Sequence, residues 1–500
     1  MSSSGALPFW ATAGQWGLMP ENNGTLSLIQ AKTQFDDTKS FQWRWGASFA
    51  ANYYNNSLSS AASSAHFMVD ELYASIKWKA LKLDLGQKRR DLDFMATDPL
   101  LGSLSVTGGH IVESGNARTM PGWIGTLEPV AIPLTNRHLY VYGAFGDYKT
   151  IDNRYINNTL VHRTRIGLRG DICSFLRLHF MLDHIAMWGG DRAGDLPGDV
   201  KMPITLGNYF RVITGSPAGS DGSSSDQINV IGNQLGSELF KIEFLGEGWS
   251  IVAQHDIPYD DKSGMRFQNF PDGANILSFS FNNKNRWVSD VLFEHHYTIW
   301  QSGTTHDIPT TEDERKNLDP NDQYHYWRHI IGGGDDYFNH LGGYSSGWTH
   351  FGKCIGNPLF YSRGTKNRTW TSDQVTMGLE NTRLSAFHIG VSGKLDCRHP
   401  YRFMMTYSSN YGTYSEPYLG ESIWGTNYTR SEMVEAMKAA GEYPLGQFSA
   451  SFCGIIDKLF EVDGLQAMYG IYGDYGDVLP KSIGACLGVR FVFDKLSMVL

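Results

Sequence analysis

The sequence contains no run of about 18 consecutive apolar residues, which excludes a transmembrane helix. Clustered lysine and arginine are also missing, and the net charge of −9 argues against a nucleic-acid partner, which requires a basic surface. The five cysteines are widely spaced and odd in number, which predicts neither a disulfide framework nor a zinc site. Prolines are few (18) against 55 glycines, and aromatic residues reach 13%, a composition typical of many strands joined by tight turns.

No secretory signal is visible in residues 1–9, because a charged segment followed by an apolar core is missing there. An exported chain requires such a signal. We therefore expect a mature form from which the signal peptide has been removed, and N-terminal sequencing of the native protein tests this expectation.

Many segments of roughly 8–12 residues alternate apolar and polar side chains, the length that a tilted barrel strand needs to cross a bilayer. Such segments are residues 41–52, 160–171, 177–188 and 287–299. In the first, Phe41, Trp43, Trp45, Ala47 and Phe49 share one face, and Gln42, Arg44, Ser48 and Asn52 share the other. A soluble sandwich also alternates, but aromatic-rich apolar faces with Trp and Tyr near the segment ends favour a membrane barrel.

The sequence therefore predicts an all-β protein, a transmembrane antiparallel β-barrel of the outer membrane with about 18 strands and long extracellular loops. Residues 1–24 form an N-terminal segment, residues 25–493 a single β-barrel domain, and residues 494–500 a C-terminal extension. Residues 484–493 form the last strand. The polar faces predict a lumen lined by Arg163, Arg165, Arg169, Asp290 and Glu294.

The connections alternate in length, and the two longest are predicted at residues 189–232 and 303–347; loops of this size are usually functional. A third irregular region, residues 410–446, contains one convincing helix, capped by Ser431 and ended by Gly441. Its apolar residues are expected to pack onto a loop or plug; they are Met433, Val434, Ala436, Met437 and Ala440.

One stretch combines aromatic and turn residues at fixed offsets: Asp-Asp-Tyr-Phe-Asn-His at 335–340, then Tyr344, Gly-Trp-Thr at 347–349 and Ile-Gly-Asn-Pro-Leu at 355–359. It resembles a signature of the Wzi-like capsule-assembly proteins of Gram-negative outer membranes. Further similarities are Leu-Asp-Leu-Gly-Gln at 83–87, Met-Trp-Gly-Gly-Asp at 187–191, Gly-Asn-Gln-Leu-Gly at 232–236, Asp-Asp-Lys-Ser-Gly at 260–264 and Trp-Gln-Ser-Gly at 300–303. Together they cover roughly residues 80–360.

This resemblance implies a non-enzymatic surface protein that binds capsular or other exopolysaccharide and helps to anchor or assemble the capsule. Aromatic rings, carboxylates, amides and guanidinium groups are suited to sugars. The glycan-binding residues it suggests are Trp188, Asp191, Arg192, Tyr337, Asn339, His340, Tyr344, Trp348, Asp260 and Asp261. For Trp188, Tyr344 and Trp348, a place in an interfacial belt or in loop packing is an equally good interpretation.

The resemblance also has one departure. The best-known family members carry an N-terminal helical bundle that plugs the barrel, whereas here the first strand begins by about residue 25. The plug is therefore open to question, and a partner protein could replace it. Besides the glycan, outer-membrane lipid is the expected partner.

Catalysis and metal binding have little support in the sequence, so no enzyme activity, cofactor or metal is expected. Adjacent carboxylates such as Asp335 and Asp336 point apart, whereas a glycosidase pair faces across a cleft. His325 and His329 have a metal-ligand spacing only if their segment is helical. Two other functions remain as alternatives: an oligosaccharide porin, and a structural subunit of a larger outer-membrane complex.

Overall fold

The fold is known from a computed structural model. It describes residues 1–36, 38–54, 64–192, 202–223, 226–227, 230–260, 265, 267, 269–303, 307–320, 325–329, 336, 338–339, 343–362, 378–396, 398–423 and 428–493. The predicted sites Tyr337, His340 and Asp261 lie outside the described residues, as does the side chain of Arg192.

One sheet of 17 strands contains nearly all of the regular structure. In chain order the strands are β1 Gly24–Lys32, β2 Phe41–Tyr54, β3 Ser64–Trp78, β4 Leu81–Gln87, β5 Pro121–Ala131, β6 Leu139–Lys149, β7 Leu160–Cys173, β8 Leu176–Trp188, β9 Asn233–Gly246, β10 Trp249–Tyr259, β11 Gly273–Phe281, β12 Asp290–Tyr297, β13 Arg383–Leu395, β14 His399–Gly412, β15 Leu445–Ile456, β16 Leu465–Gly476 and β17 Ser482–Phe491. Each strand pairs antiparallel with the next one along the chain.

The N-terminal residues join the last strand to the first. Ser3 donates its backbone N–H to the Ile483 carbonyl of β17 at 2.9 Å. On the other side, Leu7 donates to the Glu21 carbonyl at 2.7 Å, just before β1. An odd number of alternating strands would leave β1 and β17 parallel, so this short segment acts as the additional antiparallel partner. The prediction of an antiparallel barrel with about 18 strands is confirmed.

The outer face of the sheet is apolar and the inner face is polar, as the alternation predicted. Large apolar side chains on alternate strand positions are exposed, as a lipid-facing surface requires; examples are Trp43, Phe67, Trp78, Phe145, Phe244, Phe293, Tyr407 and Leu487. The intervening inward residues are buried and polar; examples are Gln42, Asp70, Ser75, Asp183, Asp256 and Glu294.

The two ends of the barrel differ in the length of their connections. At one end, called here the turn end, short turns such as residues 79–80, 174–175 and 247–248 join the strands. At the other, the loop end, lie the connections 88–120, 189–232, 298–382 and 413–444. In outer-membrane barrels short turns face the periplasm and long loops the exterior, so the loop end is the outer one. The loop predicted at residues 303–347 continues to residue 382, because β13 begins only at Arg383.

The helices and the other short strands belong to the connections. They are α1 Phe9–Thr12, α2 Leu206–Thr214, α3 Glu312–Arg315 and α4 Arg430–Ala439, with 3₁₀ turns at Pro99–Leu101 and Leu459–Glu461. Short strands pair Ile156–Asn157 with Asp191–Arg192, Asp307–Pro309 with Trp327–His329, and Thr349–His350 with Lys353–Cys354. Within the described ranges, none of the helices has the length and apolar character to cross a membrane.

The helix predicted in the region 410–446 exists as α4, but Ser431 is not its cap. Thr429 is the N-cap and forms a capping box with Glu432. The backbone N–H and the hydroxyl of Thr429 both donate to the Glu432 carboxylate. Gly441 follows the end of the helix with a φ of 71°, as predicted. Met433, Ala436 and Met437 are buried, whereas Val434 faces solvent.

Candidate functional site

The connection between β4 and β5, residues 88–120, runs through the barrel interior and is called here the luminal segment. Its buried apolar residues include Leu104, Val106, Ile111 and Val112. It bonds to strands around much of the wall: Arg89 pairs with Asp70 of β3, Glu113 with Arg163 of β7, and Asp98 with Arg490 of β17. A single connection therefore crosses the lumen.

Buried carboxylates of the wall hold the backbone of the luminal segment. Val106 donates its N–H to Oε2 of Glu294 on β12 at 2.8 Å, and Ile111 donates to Oδ2 of Asp256 on β10 at 2.8 Å. His388 of β13 donates Nε2–H to the Leu104 carbonyl at 2.8 Å. Charge-assisted bonds to backbone N–H groups are stronger than neutral ones, so these wall residues fix the path of the segment.

A second inner segment, residues 343–362, packs on the luminal segment. Trp348 donates its indole N–H to the Val112 carbonyl at 2.7 Å, and Asn116 donates Nδ2–H to the Cys354 carbonyl at 3.0 Å. Helix α1 adds Phe9 and Trp10 to the same buried cluster. The barrel interior is occupied by the chain's own connections, and the described N-terminal helix is only four residues long.

A cavity of about 310 Å³ remains between the luminal segment and the wall of β4, β5, β6 and β7. Trp16 and Met120 line it towards the loop end, and Lys82 and Glu128 towards the turn end. Small wall residues such as Gly122 and Ala144 leave the space open. The Asp91 side chain, 4.0 Å from Lys82, is 86% exposed, so the cavity opens to solvent on the turn-end side.

The lining of this luminal cavity is basic in an acidic chain. Its cationic residues are Lys82, Lys88, Arg89, Arg90, Arg118, Arg163 and Arg165, and its acidic residues are Asp84, Asp91, Glu113 and Glu128. Two of these carboxylates are each shared between two cations, Asp84 by Lys82 and Lys88 and Glu113 by Arg90 and Arg163. Asp183, a buried residue on the inner face of β8, is shared by Arg163 and Arg165.

Burial shifts the pKa of ionisable groups on the luminal segment. For Glu113, burial opposes ionisation, but the guanidinium groups of Arg163 and Arg90 outweigh it and lower the pKa. Burial lowers the pKa of His110 to about 4, against the opposing effect of Asp93. His110 is therefore neutral and Glu113 ionised at neutral pH.

The structure places the predicted aromatic residues inside packed clusters. Trp348 and Tyr344 are buried in the main core, where Tyr344 donates its hydroxyl to the Gly189 carbonyl at 3.0 Å. Trp188 is buried on the outside of the wall under Tyr209 and Val212 of α2. All three rings are buried, which agrees with their interpretation as packing residues, and their part in glycan binding stays a prediction.

The remaining predicted glycan residues that the structure describes lie in connections at the loop end. Asp191 is exposed and accepts a hydrogen bond from Nδ2 of Asn158 at 2.9 Å. Asn339 is bonded to Asp336 and to both backbone groups of Leu379, which ties two parts of one connection together. Asp260 lies at the end of β10.

The predicted lumen residues lie on the inner face of their strands. Arg163 and Arg165 line the luminal cavity, Glu294 anchors the luminal segment, and Asp290 bonds to Lys284 and Ser289. Arg169 lies nearer the turn end and pairs with Asp171 at 3.0 Å. Sequence reasoning missed the cavity residues of the luminal segment, although the end of β4 at residues 83–87 marked where this connection starts. Among the described residues, no group of three or more His, Cys, Asp or Glu side chains is arranged to hold a metal ion.

Comparison with solved structures relates this architecture to known barrels. Wzi, an outer-membrane protein involved in group 1 capsule assembly in Escherichia coli and described as a carbohydrate-binding β-barrel, superimposes with a TM-score of 0.50. The match covers 94% of this chain and 83% of Wzi at 12% sequence identity. The chain shares its fold with Wzi. The resemblance read from the sequence is confirmed at the level of this fold.

Two further solved structures align with lower TM-scores. OccK7 and OpdL of Pseudomonas aeruginosa align with TM-scores of 0.38 and 0.39, each at 8% identity, over 94% and 93% of this chain and 91% of each protein. At these scores the likeness supports no functional conclusion. No family model and no curated protein matches the chain.

Proposed function

We propose that this protein is a non-catalytic outer-membrane barrel that binds exopolysaccharide at the cell surface and helps to anchor or assemble the capsule. The fold shared with Wzi supports the proposal, since Wzi is a carbohydrate-binding barrel of capsule assembly. Fold alone does not determine function, so the proposal also needs support from the barrel interior.

The observation that carries the proposal is the filled lumen. The luminal segment crosses the barrel and is pinned by Glu294, Asp256 and His388 from three different strands. Buried backbone N–H groups are costly to leave without their acceptors, so this interior favours a binding barrel over an open diffusion pore. The porin remains the alternative that the experiments must separate.

The first experiment measures how surface polysaccharide divides between cells and medium in a strain lacking the protein. Anchoring predicts normal synthesis with polysaccharide shed into the medium, and restoration of retention by the wild-type gene. Unchanged retention would remove the anchoring function.

A second experiment separates binding from transport. Purified protein in detergent is expected to bind the polysaccharide of its host, and in planar bilayers it is expected to give no steady conductance. Conductance without glycan binding would instead support the porin.

A further inference from the structure

We infer that helix α2 lies in the outer boundary of the bilayer and inserts Leu206 and Phe210 among the acyl chains of the outer leaflet. The inference goes beyond the proposed glycan binding and does not depend on it. It assigns to the connection 189–232 a contact with lipid, which fixes the depth at which the loop end of the barrel sits in the membrane.

The first argument is that α2 is apolar on the side that points away from the barrel. Leu206 and Phe210, one turn apart, are 73% and 60% exposed. On the opposite side of the helix Val212 is buried against the wall, and Arg211 is the one charged residue of the helix. A surface helix in water carries one apolar stripe and a polar face opposite to it. Apolar residues on both sides therefore indicate that the outer side of α2 also meets an apolar medium.

The second argument is the position of α2 along the wall. Tyr209 donates its hydroxyl to Asp147 of β6 at 2.8 Å, and its ring lies 5.3 Å from that of His162 on β7. The ring of His162 in turn lies 4.8 Å from that of Phe145, which is exposed on the lipid-facing side of β6. Asp147 and Phe145 are two residues apart on one strand face, which corresponds to about 7 Å. The helix thus begins where the lipid-facing wall ends, at the level of the headgroup and acyl-chain boundary in which interfacial helices lie.

The third argument is that a separate connection extends the same apolar surface. Between β10 and β11, the ring of Phe267 lies 6.2 Å from that of Phe240 on β9, and the ring of Phe270 lies 6.0 Å from that of His255 on β10. Phe240 is exposed on the lipid-facing side of the wall, and Phe267 and Phe270 are half-exposed. Two connections therefore continue the lipid-facing surface at the loop end, which is expected if the bilayer reaches this level.

The orientation of α2 decides what its outer side chains meet. The Thr205 hydroxyl caps the helix by accepting the Asn208 N–H at 3.2 Å, and the ring of Tyr209 lies 5.6 Å from that of Trp188 on β8. These contacts keep one side of the helix on the wall, so Leu206 faces the surroundings of the barrel. Because this surface is continuous with strands that face lipid, acyl chains are the occupant that we assign to it.

The test is depth-dependent fluorescence quenching of the full chain in phosphatidylcholine vesicles. A nitrobenzoxadiazole label is attached at Leu206→Cys or, in a second variant, at Phe210→Cys, in a chain whose cysteines other than the buried Cys354 and Cys453 are replaced by serine. The vesicles contain lipid with a nitroxide either near the headgroup or near the bilayer centre. We expect both labels to lose more emission to the shallow nitroxide than to the deep one, because an interfacial helix lies near the headgroups.

Two further labels serve as controls. Ile166→Cys, at an exposed position near the middle of β7, should lose more emission to the deep nitroxide. Glu312→Cys, on the exposed and charged helix α3, should lose none to either. The chain without an introduced cysteine should take up no label, and gel mobility of unheated samples verifies that each labelled barrel is folded.

Quenching at positions 206 and 210 no stronger than at position 312 would overturn the inference, because α2 would then lie in water or under another protein surface. Quenching by the deep nitroxide that equals or exceeds quenching by the shallow one would also overturn it, since the helix would not lie at the boundary. Neither result bears on glycan binding, which is measured separately with the host polysaccharide.

Discussion

Trp348 has the chemistry of a sugar-binding residue but the surroundings of a core residue. It is 1% exposed, and its indole N–H bonds to the luminal segment at Val112. We expect Trp348→Ala to destabilise the barrel by about 3–5 kcal/mol, because a large buried side chain is lost. Trp348→Phe keeps most of the packing and loses one hydrogen bond, which costs about 1–2 kcal/mol.

The measurement is the temperature at which the folded barrel loses its compact gel mobility. Glycan binding by the fraction that remains folded is expected to match the wild type for both Trp348 variants. Weaker binding without a change in unfolding temperature would return Trp348 to the binding site.

His110 gives the luminal segment a dependence on pH. Burial holds its folded pKa at about 4, below the ordinary value of 6.5, with Asp93, Arg90 and Arg165 as its charged neighbours. The unfolded segment thus binds a proton that the folded one does not, and its stability falls as the pH drops from about 6.5 to about 4. Hydrogen exchange of the backbone amides of residues 104–112 should become faster as the pH falls through this window. In His110→Gln this acceleration should be absent, and exchange at pH 7.5 should be nearly the same as in the wild type.

At the scale of elements, α2 is packed on the outside of the barrel. Tyr209 donates its hydroxyl to Asp147 at 2.8 Å, and Val212 is buried next to Trp188 of β8. We expect Val212→Asn to detach the helix, because a polar amide replaces an apolar contact. Trypsin should then cleave after Arg211 in the variant and not in the wild type.

The matched control is Phe210→Ser, at an exposed position of the same helix. It should leave the tryptic pattern unchanged. Equal cleavage in both variants would mean that the contact with Trp188 does not hold α2 on the wall.

The strands were predictable from sequence because each carries its own signal, an outward apolar residue alternating with an inward polar one. In β2, for example, the exposed Trp43 marks the outer face and the buried Gln42 marks the inner face. The luminal segment has no such period, and its anchors Asp256 and Glu294 lie 145 and 188 residues away along the chain from the residues they hold. The cavity could not be predicted because it exists only where these distant parts meet.

The capping error in α4 has a different, local cause. Thr429 and Ser431 are both good N-caps by residue type, and the sequence separates them only through the residue three positions later. The position of Glu432 three residues after Thr429 completes a capping box, whereas Ser431 has Val434 three residues later and cannot form one. The boundary was therefore predicted two residues late, although the helix and its buried Met433 and Met437 were found.

For the whole molecule, the balance between a sealed barrel and a pore depends on how firmly the luminal segment is held. Glu294 accepts hydrogen bonds from both the Ser105 hydroxyl and the Val106 N–H, and Asp256 accepts from Ile111. The double variant Glu294→Ala, Asp256→Ala removes these acceptors and leaves backbone N–H groups unpaired, which costs about 1–3 kcal/mol for each. We expect the segment to leave its place for part of the time.

In planar bilayers this double variant should therefore show flickering conductance where the wild type stays closed. Asp290→Ala is the control, since Asp290 lies on β12 like Glu294 but bonds to Lys284, Ser289 and Ser392 of the wall. It should stay closed as the wild type does. If the folded double variant is closed as well, packing of Ile111, Val112 and Trp348 seals the barrel without the carboxylates. If the wild type itself conducts, the luminal segment leaves a path for solutes, and the conductance supports the porin function.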